Sequence, residues 1–195
     1  MKSRSIVIAA GASVLAFATV ASAHPGHGAS GGFSAGISHP FLGIDHILAM
    51  VAVGLCAVQI GGRALWLLPL TFISFMIAGG VLGFNAGHVP PAVEQGIAAS
   101  VLLLGLIVAG GSRLAVPLTF GLTALFAMFH GYAHGAEMQP GVAFATFAVG
   151  FVIATTILHL AGIALGVTLN RNRLPALARL AGGAIAIGGV LLFVG

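Results

Sequence analysis

The sequence predicts an all-α, polytopic membrane protein: a bundle of six transmembrane helices behind a cleaved signal peptide. Three observations predict it. Apolar residues make up 59% of the 195-residue chain and charged residues only 5%. A water-soluble domain carries about 25% charged residues, so this surface faces something other than water. Six apolar segments also follow one another, near the roughly 20 residues a bilayer crossing requires. The charges between them sort by sign, basic on one side of the weave and acidic on the other.

At the N-terminus, Lys2 and Arg4 precede an apolar run from Ile6 to Val20, and Ala21-Ser22-Ala23 is a small-x-small cleavage site. These are the three parts of a secretory signal peptide. The apolar run is shorter than the ~20 residues of a full span, which argues against an uncleaved first helix. Residues 1–23 are therefore read as the signal peptide and 24–35 as a flexible His- and Gly-rich extracytoplasmic segment. The transmembrane domain is expected over 36–195. In the flexible segment, His24 and His27 are weak metal-capture candidates. Pro25 lacks a backbone N–H and disfavours a square-planar amide site there.

The spans are expected at roughly 36–60, 64–86, 93–111, 113–134, 140–168 and 176–194. Glycine, proline and arginine clusters break them, as at Gly61-Gly62-Arg63 and Val89-Pro90-Pro91. With the mature N-terminus outside, Arg63, Arg113, Arg171, Arg173 and Arg179 all fall on the cytoplasmic side, while Glu94 and Glu137 fall outside. The positive-inside rule is then obeyed throughout. Gly79, Gly83 and Gly87 repeat every four residues in the second span, and Gly131/Gly135 and Gly162/Gly166 share that spacing. Small residues so placed let helix backbones approach closely within lipid.

The first span opens His39-Pro40-Phe41-Leu42-Gly43-Ile44-Asp45-His46 and continues to Met50 and Gly54. Ionisable groups at membrane depth cost roughly 2.5–3.5 kcal/mol each, so they are functional candidates. On one straight helix His39, His46 and Met50 share a face. Imidazole, carboxylate and thioether together suit a borderline metal such as nickel, copper, cobalt or zinc. Asp45 is read as a ligand or as the group that orients an imidazole. The fourth span ends with His130, His134 and Glu137, spaced four and three residues apart on one helix face. Its chain direction places them at the depth of the first cluster, so the two sets are expected to meet. His88 is a weaker ligand candidate at the same level. His159, deep in the fifth span, reads as a structural hydrogen-bonder or a lower station on an ion path. Cys56, the single cysteine, reads as a small core residue.

The stretch His39-Pro40-x-x-Gly43-x-Asp45-His46-x-x-x-Met50-x-x-x-Gly54 resembles the signature of the HupE/UreJ family without departure. The segment His130-Gly131-x-Ala133-His134-Gly135-x-Glu137 is similar to that family's second motif. These are small membrane nickel permeases linked to hydrogenase and urease maturation. The resemblance implies uptake of Ni2+, or Co2+ as the alternative, across the bacterial inner membrane, and delivery towards cytoplasmic nickel chaperones. It carries over His39, Asp45, His46, His130, His134 and Glu137 as motif positions.

The residues themselves exclude some classes. The pI near 10.8 reflects seven basic against three acidic residues, with no basic cluster to bind nucleic acid. No nucleotide-binding motif points to ATP. Three other classes remain beside a permease: a membrane metalloenzyme with Glu137 as base, a bis-histidine haem protein, and a metal-binding sensor or accessory subunit. Oligomeric state is not legible. Imidazoles bind metal only when neutral, so uptake is expected to fall as pH drops through about 6.5.

Overall fold

The computed structural model describes residues 32–111, 114–138 and 142–194. The expected signal peptide, His24, His27 and Arg113 lie outside the described residues. Within them the chain is helical, with no strand: α1 (Gly32–Leu42), α2 (Ile44–Ile60), α3 (Ala64–Ala86), α4 (Pro91–Gly110), α5 (Val116–Ala136), α6 (Phe144–Arg171) and α7 (Pro175–Val194). Five of these, α3 to α7, are long and apolar enough to cross a membrane. The pair α1 and α2, bent by 76° at the break between them, makes a sixth if the two are taken as one broken span.

That bend corrects the expectation of one straight helix over 36–60. Pro40, inside α1, has no N–H to donate, and its ring crowds the carbonyl of Gly36. Three residues on, Gly43 leaves the helical region (φ −86°, ψ 117°) and caps α2. Its N–H still reaches the His39 carbonyl at 3.2 Å, and its own carbonyl accepts from Ile47 at 3.1 Å. The chain therefore turns sharply with its backbone groups satisfied. His39 and His46 consequently ride on different helices and share no helix face. The helix also starts at Gly32, ahead of the span expected from 36.

Close helix contacts hold the bundle. A methyl group at Gly79 or Gly83 would overlap the Met128 or Tyr132 carbonyl, and one at Gly131 or Gly135 would overlap that of Met76 or Gly80. α3 and α5 thus touch backbone to backbone, the approach that small residues allow where lipid removes the hydrophobic drive. Gly54 and Gly162 join α2 to α6 in the same way, and Gly105 and Gly182 join α4 to α7. Gly87, the third member of the expected ladder, does something else. It ends α3 in the left-handed region (φ 65°, ψ 16°), and a Cβ there would meet nothing within 4 Å.

The charges separate along the bundle. Arg63, Arg171, Arg173 and Arg179 sit at or near one end of the weave, while Asp45, Glu94 and Glu137 sit at the other. Trp66, at the basic end, is 65% exposed on the outside of the bundle, as an interfacial anchor would be.

Adding a methyl at the α3–α5 contact is expected to destabilise the protein. Gly131→Ala should lose at least about 1–3 kcal/mol, the usual effect of overpacking. Gly121→Ala, whose methyl meets nothing within 4 Å, should be neutral. Thermal unfolding of both variants in detergent measures the contrast.

Candidate metal centre

Four imidazoles converge at the acidic end of the bundle. His39 comes from α1, His46 from the first turn of α2, and His130 and His134 from the last two turns of α5. The ring centroids of His46 lie 5.6 Å from His39, 5.2 Å from His130 and 4.4 Å from His134. His39 and His134 are 4.5 Å apart. His46, His130 and His134 are buried, and His39 is partly so. The expected meeting of the two motifs is what the structure contains.

The ligand atoms form two groups with His46 common to both. In one, His39, His46 and His134 each bring a ring nitrogen within 4.8 Å of the others; in the other, a carboxylate oxygen of Asp45 and ring nitrogens of His46 and His130 lie as close. Metal–nitrogen bonds of about 2.0–2.1 Å put neighbouring ligand atoms about 3–4 Å apart, so modest closure would complete either group.

Local contacts fix where each ring aims. His130 Nδ1 donates to the Phe126 carbonyl, one turn back, at 3.0 Å. That bond sets the tautomer and leaves Nε2 as a buried lone pair without a partner. His46 turns Nε2 towards His134 Nε2, the two nitrogens meeting in direct contact. Asp45 Oδ2 lies 2.8 Å from His46 Nδ1, although the ring N–H is poorly aligned for a hydrogen bond to it. Asp45 thus lies against His46 Nδ1 and is also the carboxylate member of the second group. Gly43 makes room for this arrangement, since a Cβ there would sit 2.7 Å from Asp45 Oδ1 and 2.8 Å from His46 Nδ1.

The remaining candidates fall outside the two groups. Glu137 caps α5, is half exposed, and stands 3.9 Å from His134 Nδ1. Its carboxyl is held above the ordinary range, first by partial burial and then by the neighbouring Glu94 carboxylate. His88 is exposed at the end of α3 and contacts the Ala86 carbonyl of its own turn, at 3.1 Å. Met50 is fully buried in the apolar core, one turn beyond His46. His24 and His27 lie outside the described residues.

Two residues escaped sequence reasoning. Phe151 of α6 backs the centre, its ring 4.9 Å from His134 and about 6 Å from His39 and His46. Glu94 lines an open cavity of about 550 Å3 together with Asp45, Gln95 and Phe193. Glu137 does not line it, but its carboxyl feels those of Glu94 and Asp45, so the three acidic residues of the chain lie near one another at this end. Glu94 carried a signal in the sequence, as the lone acid opening an apolar span; Phe151 carried none among thirteen phenylalanines.

The fold defines a polytopic membrane protein, and its interior brings together histidine and aspartate side chains at spacings that could hold a metal ion. The chain belongs to the HupE/UreJ family: the family described as "HupE / UreJ protein" matches residues 12–192. It is similar to Protein HupE of Rhizobium leguminosarum bv. viciae, at 44% identity over 93% of this chain and 94% of that one. No solved structure matches it.

The shared position of His46 predicts a hierarchy of binding defects. His46→Ala and Asp45→Asn should each weaken Co2+ binding to the purified chain about 10–100-fold, the range seen when ligands or their orienting partners are removed. His88→Ala should leave binding unchanged. Titration of the visible Co2+ bands reads all three.

Proposed function

We propose that the chain is a permease that moves a divalent transition-metal ion, Ni2+ first and Co2+ as the alternative, into the cytoplasm. The observation that carries this is the convergence of His39, His46, His130 and His134 with Asp45 inside an otherwise apolar helical bundle. Imidazole nitrogen with one carboxylate oxygen suits this part of the transition series. Membership of the HupE/UreJ family supports nickel and a role in supplying hydrogenase or urease maturation.

The orientation follows from charge. Arginines at the end opposite the centre support a cytoplasmic position for that end. The metal centre then faces the periplasm, the mature N-terminus is extracytoplasmic, and the host membrane is the bacterial inner membrane. The domains are a signal peptide at 1–23, a His-bearing segment at 24–35 in which His24 and His27 gather ions, and the permease domain from 36.

The ion arrives at the mouth where Asp45, Glu94 and Glu137 offset its charge. It exchanges water for His39, His46 and His134. It then passes to Asp45, His46 and His130, staying beside the His46 ring that both groups include. Binding stays moderate, as conduction requires. The ion leaves at the basic end towards cytoplasmic nickel chaperones. Transport rather than turnover is the reading, so no catalytic residue is assigned.

Proteoliposomes made from the purified chain should accumulate 63Ni2+, and His46→Ala should reduce the initial rate by about tenfold or more. Wild-type flux in that variant would sink the pathway. Binding without flux in the wild-type chain would favour an accessory metal-binding role.

A further inference from the structure

His159 is 1% exposed on α6, and neither of its ring nitrogens has a hydrogen-bond partner. A buried imidazole normally makes at least one hydrogen bond, as His130 does to the Phe126 carbonyl. His159 makes none. Leaving such a group unsatisfied in an apolar interior is unfavourable, and within a membrane span it marks function before structure.

Its position extends the metal centre inward. Phe72 of α3 lies between the two levels: its ring centroid is 5.7 Å from His130 and 5.2 Å from His159, the latter edge-to-face. His159 is eight residues beyond Phe151, so it lies about 12 Å deeper along α6. The groups near this depth are also turned inward. Thr71, Thr119, Thr156 and Thr168 each bond a carbonyl of their own preceding turn, the usual habit of helical threonine. Thr155 instead points its hydroxyl at Met76 Sδ, at 3.8 Å. Thr123 Oγ1 is buried with no partner. Among the described residues, the buried side-chain N and O atoms without partners belong only to His46, His130, His134, His159 and Thr123.

The geometry points to His159 as a second, deeper station for the divalent cation, taking it through ring nitrogen after it passes Phe72. The station rests on the permease reading above. Its chemistry differs from that of the outer centre. No carboxylate joins His159 in a ligand group, so a single imidazole there holds the ion more weakly than the outer centre does. A weak site below a stronger one is what onward movement requires.

The test uses the full chain in proteoliposomes with Ni2+ alone as probe. His159→Leu fills the same space without a ligand. It should lower 63Ni2+ flux about tenfold or more, while equilibrium binding at the outer centre stays within about twofold of wild type. Flux within about twofold of wild type in the folded variant overturns the station. Should the leucine variant not fold, His159→Cys in a Cys56→Ala background replaces it. Cd2+ should then block its Ni2+ flux far more strongly than that of Cys56→Ala alone, and equal block overturns the station. An absence of flux in the wild-type chain removes the permease reading and the station together. Flux that depends on His46 but not on His159 removes the station only.

Discussion

A neutral imidazole in an apolar bundle needs a partner for its lone pair, and several in one place need a common one. His46, His130 and His134 are buried, and each keeps a ring nitrogen without a well-directed bond. In a water-soluble protein, solvent would satisfy them. Between apolar helices only a proton, another side chain or a metal ion can. The rest of the molecule is built around keeping these rings together in spite of that deficit.

The bundle resists the tendency of such rings to turn away or separate. α5, which carries His130 and His134, is locked to α3 by contacts in which glycine leaves no room for a side chain. α2, which carries His46, is locked to α6 where Gly54 meets the His159 carbonyl and Gly162 meets that of Val51. These contacts are rigid because backbone meets backbone, with no rotamer to adjust. The two halves of the centre are thereby fixed to separate, stiff supports. The bend at Gly43 then swings α1 across them and brings His39 to within ring contact of His134.

Much of this was legible in the sequence because membranes impose strong patterns. Apolar length gave the crossings, and glycine spacing pointed to the α3–α5 contact. Two motifs of polar residues in apolar surroundings pointed to the centre. What remained hidden depends on groups distant in sequence or on a local break. Pro40 and Gly43 are both helix breakers, yet a pattern of apolar residues runs straight through them, so a single helix was expected. His88 shares the depth of the centre but stands on the exposed side of α3's end, and depth alone says nothing about facing. Phe151 backs the rings only because α6 packs against α1 and α2, a pairing that no periodicity encodes. Glu94 was counted as a charge, but its approach to Glu137 and its place beside Asp45 are tertiary facts.

The division of the centre into two groups bears on what it does with an ion. A structural metal site closes four ligands around one position and holds it. Here each group offers three ligand atoms, and His46 serves both. An imidazole has two ring nitrogens, and in His46 one faces His134 while the other lies beside Asp45. On the permease reading, an ion moving between the groups would trade His39 and His134 for Asp45 and His130 across the two nitrogens of that one ring. Such an ion would stay among protein ligands throughout, with the Asp45 carboxylate offsetting its charge in one of the two groups. Neither position is then a deep well, which distinguishes a path from a resting place.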